Sequence, residues 1–192
     1  MSLFDKIAST IMPPESEEDR AEARRKIEAL AAGNDFIGDI VAHHRQIEQL
    51  FVRGRAATDA PGRTAAMKEL ATFLTGHAQA EEVAIYPMIA DEDSKRHAAT
   101  AYQEQVMTKI ELAKLELLDP MSQEWRDKLE HIEGAVRHHI YEEEGTWFPE
   151  LVKGATPQMR AHVSKRFREE FARYIGREGS EGRQPADAQE LA

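Results

Sequence analysis

One pattern occurs twice in this chain at identical offsets: a histidine, two glutamates, a ring and a proline. The first copy is HAQAEEVAIYP, from His77 to Pro87. The second lies in HHIYEEEGTWFP, its frame running from His139 to Pro149, 62 residues further on. Residues four apart share one face of a helix, so each copy aligns its His with the Glu that follows. Two such faces in one small domain can converge on the same metal ions. Without a cation, carboxylates gathered in an apolar interior would be costly.

The rest of the chain suits a helical setting for that pattern. Its 192 residues allow one domain with a substantial core plus extensions. Pro and Gly are sparse and cluster between long periodic segments, and no run alternates apolar and polar residues as a strand would. There is no cysteine, which excludes disulfides, zinc fingers, iron–sulfur clusters and thiol catalysis. A metal site here must use His, Asp, Glu or Tyr, a donor set that favours hard or borderline metals. The net charge of −10 argues against nucleic acid or an anionic membrane as a broad partner. The first residues, MSLFDKIASTIMPP, lack the sustained apolar core of a signal peptide, and no stretch is long enough to span a bilayer. Cytoplasmic residence is the expectation.

The periodicity predicts an all-α, up-down-up-down four-helix bundle with extra N-terminal and C-terminal helices. Residues 1–33 form a helical extension. In it, Leu3, Phe4, Ile7 and Ile11 mark a short amphipathic helix, and Ser16 to Asp19 reads as a capping box. Residues 34–152 form the bundle, with Asn34 able to cap its first helix. Those helices run from about Asp35 to Arg53, Thr64 to Tyr86, Ser94 to Leu118 and Ser122 to Trp147, the loop GRAATDAPG joining the first two. Residues 153–176 form a basic helix suited to docking on the acidic bundle, and 177–192 a flexible tail.

Bundle helices place core residues at alternating steps of three and four. On that rule the first helix turns inward Ile37, Ile40, His44, Ile47 and Phe51. The second gives Leu70, Leu74, His77, Glu81 and Ala84, and the fourth Leu129, Ile132, Val136, His139 and Glu143. Ionisable residues therefore occupy positions that should be apolar, and a shared metal cluster would compensate them. His43 and His138 fall off these seams. The third helix has an apolar seam of Ala99, Tyr102, Val106, Ile110, Ala113 and Leu117 with no histidine; His97 lies on a more polar face. Its inward group at the right level is Tyr102, whose phenol could ligate ferric iron. Glu82 and Glu144 read as a solvated face, and Tyr86 and Phe148 as plugs closing the bundle end.

With these residues the chain resembles the hemerythrin-like, or HHE cation-binding, family over roughly residues 34 to 152. The carriers are AHHRQIEQLF on the first helix and the two motif copies on the second and fourth. The resemblance implies a non-haem di-iron site, two iron ions joined by an oxo or hydroxo bridge, with His44, His77, Glu81, His139 and Glu143 as ligands and both Glu bridging. The third helix departs from the family pattern: AATAYQEQV puts Tyr102 where the family has a His. An extra anionic ligand would favour ferric iron, which turns the expectation from oxygen carriage toward peroxide, dioxygen or nitric oxide chemistry. Disproportionation of peroxide in a stress response is the favoured reading. A reversible oxygen- or nitric-oxide-binding module is the alternative, in a monomer or small homo-oligomer.

Overall fold

The computed structural model describes residues 15–31, 35–89 and 95–176. The amphipathic segment at Leu3 to Ile11, Asn34 and the tail from residue 177 lie outside the described residues. Every element among the described residues is helical. In chain order these are α1 (Glu17–Leu30), α2 (Phe36–Ala56), α3 (Ala60–Ala84), the short α4 (Tyr86–Ile89), α5 (Lys95–Leu115) and α6 (Gln123–Glu142). A π-helical turn (Glu143–Trp147), α7 (Phe148–Gly154) and α8 (Pro157–Ile175) complete the chain.

Side-chain caps set most of the helix starts. The Ser16 hydroxyl accepts from the Asp19 amide while the Asp19 carboxylate accepts from the Ser16 amide, which is the capping box. Asp35, Asp59, Ser122 and Thr156 cap α2, α3, α6 and α8. The loop expected between the first two bundle helices shrinks to residues 57–59. The reason is Pro61: in the first turn of α3 its missing N–H is one that no helix would use. The C-terminus of α8 is closed by Gly176 at φ 77, in the left-handed region.

The bundle is built from α2, α3, α5 and α6, each packed on its sequence neighbour, with α2 also against α6 and α3 against α5. The two other long helices pack on it from outside. The first, α1, lies against α2, α6, the π turn and α7. The basic α8 covers α2 and α3, burying Val163 and Phe167. Arg160 pairs with Asp35, and Arg168 with Asp39 at 2.8 Å.

The core falls into two apolar halves. One gathers Phe36, Ile40, Ala84, Trp147 and Phe148, among others, with Phe167 of α8. The other gathers Ile47, Leu50, Leu70, Leu112, Trp125 and Leu129. Between them along α2, α3 and α6 come His44, then His77 and Glu81, then Glu143, each fully buried or nearly so.

The third bundle helix is turned relative to the sequence expectation. Its buried series is Ala98, Ala101, Gln105, Leu112 and Leu115, whereas Tyr102, Val106, Ile110 and Leu117 are exposed. The two series are offset by about one residue, or ~100°. Burying the series with Ala101 and Leu112 brings Glu104 and Gln105 to the polar layer, where buried groups need hydrogen-bond partners. Leu112→Ala is therefore expected to cost about 2–5 kcal/mol in chemical denaturation. Val106→Ala, on the apolar series the sequence favours, should stay within about 0.5 kcal/mol.

Candidate metal centre

The centre is assembled by three helices and the π turn that continues the last of them. His44 comes from α2, His77 and Glu81 from α3, His139 from the end of α6 and Glu143 from the start of the π turn. One ligand atom from each of His44, His77, Glu81 and Glu143 lies within 4.8 Å of all the others. His44 Nε2 stands 3.3 Å from Glu143 Oε2, and His77 Nε2 stands 3.3 Å from Glu81 Oε1. His139 borders this group, its Nε2 3.4 Å from Glu143 Oε1.

Each motif proline follows its first Glu by six residues and disturbs the helix there. Pro87 and Pro149 cannot donate to the carbonyl four residues back. After Glu81, α3 ends at Ala84 and the chain turns through Ile85 into α4. After Glu142 the helix widens into the π turn, with the Phe148 amide bonding to the Glu143 carbonyl. A π turn carries one residue more than an α turn and recurs at functional sites. Here it accompanies two consecutive buried glutamates, Glu143 and Glu144.

The donors fit a cation. His44 Nε2, Glu81 Oε1 and Glu143 Oε2 are buried with no hydrogen-bond partner, although they point into one space. Orphaned acceptors in an apolar interior are costly, and a shared metal ion satisfies all of them together. Nitrogen and carboxylate oxygen without sulfur suit iron, manganese or zinc.

The protein's own groups push these ionisations apart. Burial alone would pull His44 down, but the Glu143 and Glu144 carboxylates outweigh it and lift His44 to about 9. Burial and the neighbouring His44 hold His77 well below its ordinary value. Burial, with Glu143 beside it, drives Glu81 well above the usual carboxylate range. Glu143 goes the other way: burial opposes its charge, but His139 and His44 more than offset that.

A phenol does reach the cluster, from inside the first motif. Tyr86 is fully buried, and its hydroxyl donates to Glu143 Oε1 at 2.8 Å, with Glu81 Oε2 3.4 Å and His139 Nε2 3.2 Å away. From α5, Gln105 Nε2 donates to Glu81 Oε2 at 2.8 Å and to the Tyr86 hydroxyl at 2.6 Å. Beside these groups lies a cavity of about 20 Å³, bordered by His77, Gln105 and His139, by apolar side chains such as Leu74, Leu112 and Val136, and by Thr108 and Lys109.

The model of the hemerythrin HHE cation-binding domain matches residues 35–151 of this chain. The chain belongs to that family. A DNA nickase of Nostoc sp. (strain PCC 7120 / SAG 25.82 / UTEX 2576) is 26% identical over 125 residues, which cover 62% of this chain and 36% of the relative. The chain thus spans little more than a third of that relative's length. No solved structure matches it.

Set in this HHE domain, the sequence expectations divide. His44, His77, Glu81 and Glu143 are brought together, with His139 alongside. Tyr102 is not: it is 37% exposed, and its hydroxyl donates to the Glu82 carbonyl at 2.7 Å. Its inward placement is corrected by the turn of α5 described above. Glu144, read as solvated, is buried; it accepts from His44 Nδ1 at 2.7 Å. Glu104, unremarked in the sequence, takes the same part for His139 Nδ1 at 2.8 Å. Tyr86 fills the core as a plug would, but its hydroxyl belongs to the site. The repeat held that signal, since Tyr86 occupies the ring position and, unlike Phe148 in the second copy, carries a hydroxyl. His43 lies under α8 against Phe171, ring centroids 4.2 Å apart, and His97 stacks on Trp147.

The opposed ionisations set an order of damage in chelator-treated protein. His44→Ala strips the partner from two buried carboxylates and should cost about 3–5 kcal/mol. His77→Ala removes a neutral ring and should cost clearly less. Urea denaturation of both variants in chelator measures the difference.

Proposed function

We propose that this domain binds two non-haem iron ions and uses them on hydrogen peroxide, disproportionating it to water and dioxygen. His44, His77, Glu81, His139 and Glu143 would hold the metal, with the two glutamates shared between the ions. Bound iron supplies Lewis acidity and a one-electron redox couple.

The observation that carries the peroxide reading is Gln105. Its amide N–H₂ is committed to Glu81 and Tyr86, and its Oε1 is buried with no partner while the residue borders the cavity. That oxygen can only accept a hydrogen bond. Hydrogen peroxide has an O–H to offer; dioxygen and nitric oxide do not. A cavity of about 20 Å³ is close to the size that holds one water molecule, which suits a molecule as small as peroxide.

Tyr86 has a second part in this reading. Burial, with Glu143 and Glu81 beside it, pushes its phenol well above the ordinary value. With ferric iron held at the same place, that balance would reverse in favour of phenolate. Tyr86, rather than Tyr102, would then supply the anionic oxygen that stabilises oxidised iron. In the phenol form, its O–H is placed to give a proton to Glu143 Oε1 or take one back.

Protein expressed with iron should hold two ions per chain by metal analysis and show a strong visible charge-transfer band when oxidised. Tyr86→Phe should remove the band and Tyr102→Phe should leave it; the opposite pattern would overturn the assignment of Tyr86. Oxygen evolution from peroxide should exceed that of free iron at equal concentration. Gln105→Leu should lower it with iron content unchanged. Turnover no better than free iron would leave reversible binding of dioxygen or nitric oxide as the function.

A further inference from the structure

A metal-bound imidazole performs well when its other nitrogen donates to a fixed acceptor, which sets the tautomer and the ring plane. The three histidines at this centre differ in that respect. His77 Nδ1 is buried without a partner. His139 Nδ1 meets Glu104, whose side chain is 31% exposed. His44 Nδ1 meets Glu144, whose side chain is 2% exposed.

Glu144 is itself held, and from outside the bundle. Arg24 on α1 donates through Nε to Glu144 Oε1 and Oε2 at 3.1 and 3.0 Å, and through Nη2 to Oε1 at 3.0 Å. The same guanidinium donates to Glu48 of α2 through Nη1 at 2.8 Å and Nη2 at 3.1 Å. Such forked contacts fix a carboxylate in angle as well as distance, which a lysine could not do. Arg24 thus spans α2 and the π turn, the two elements that bring His44 and Glu143 together. Ala23, next to it, packs close to Gly145: a Cβ built on Gly145 would lie 3.6 Å from the Ala23 methyl.

We propose that α1 is a positioning arm of the metal centre: Arg24 locks Glu144, and Glu144 locks the His44 ring with Nε2 aimed at the metal. The proposal rests on the metal-binding reading above and adds to it an element outside the stretch that matches the family, residues 35–151. Neither Arg24 nor Glu144 touches the metal in this scheme. Their effect passes through His44, so it appears in metal affinity and in the electronic state of the site. A helix that merely braced the bundle would change stability without either.

The test uses the full chain, stripped with chelator and titrated anaerobically with Fe(II), and separately with Co(II) as a spectroscopic probe, against a competing chelator. Glu144→Gln keeps an acceptor for His44 Nδ1 but loses the charge; Arg24→Ala loses the lock. Each should weaken metal binding about 10- to 100-fold and shift the Co(II) visible bands. Arg24→Lys should recover part of the affinity. Lys26→Ala, on the same helix in an exposed pair with Glu22, should match wild type. Circular dichroism of the metal-free variants separates loss of fold from loss of positioning. If Arg24→Ala proves poorly folded, Glu144→Gln, which leaves the Arg24–Glu48 pair in place, decides alone. Wild-type affinity and an unchanged Co(II) spectrum in Glu144→Gln would overturn the inference. Wild-type protein that takes up no metal would instead overturn the metal-centre reading itself.

Discussion

Two carboxyl groups, Glu81 and Glu143, meet in the interior of a helical bundle, and the rest of the structure answers to that fact. Each carries a desolvation cost of several kcal/mol, and their mutual repulsion adds to it. The protein offsets this with imidazoles: His44 and His139 stand within 3.4 Å of Glu143, and His77 stands 3.3 Å from Glu81. Tyr86 and Gln105 add hydrogen bonds. The compensation is incomplete, since one oxygen of each carboxylate, though near an imidazole, has no hydrogen bond. What remains unsatisfied is what a cation of this family satisfies. The polar layer thus serves binding more than stability, and the two apolar halves on either side of it carry the fold.

The layer is shielded unequally. On the His44 side, α1 and its arginine close over the carboxylate that touches the ring. On the α8 side the cover is aromatic: Phe73, Phe167 and Phe171 enclose His43, and burial with the nearby His44 holds that imidazole down to about 4. On the α5 side sit the polar Glu104 and Gln105 together with the small cavity. α1 and α8 thus act as walls of different chemistry, and the cavity lies between α3, α5 and α6.

Much of this was legible in the sequence, and what was not has identifiable causes. The helical class and the bundle followed from periodicity, and the positions of His44, His77, Glu81 and Glu143 followed from polar residues interrupting apolar seams. The third helix misled because it holds two apolar series one residue apart. Side-chain size favoured the one with Tyr102, Val106 and Ile110. The structure buries the other, whose small alanines and single glutamine suit a polar layer already crowded by its neighbours. No count of apolar residues reveals that, because the deciding term is hydrogen bonding between elements distant in sequence. Tyr86 was set aside for a related reason: a tyrosine before a proline reads as a stopper, and its hydroxyl matters only once Glu143 is known to lie 2.8 Å away. Glu144 looked exposed because an unbroken α-helix does not bury two consecutive side chains on one partner face.

That last point gives the π turn a meaning beyond local geometry. An α-helix advances about 100° per residue, so one additional residue in a turn shifts the phase of everything after it by that amount. The turn at Glu143–Trp147 is therefore a phase adjuster set into the fourth bundle helix. Upstream, the helix keeps the register that points His139 and Val136 inward. Downstream, Trp147 and Phe148 enter the apolar half that holds Phe36 and Ile40, in a register an uninterrupted helix would miss. The polar layer and the core beyond it are in this sense written in two different frames of one helix, joined at the residues that face the metal.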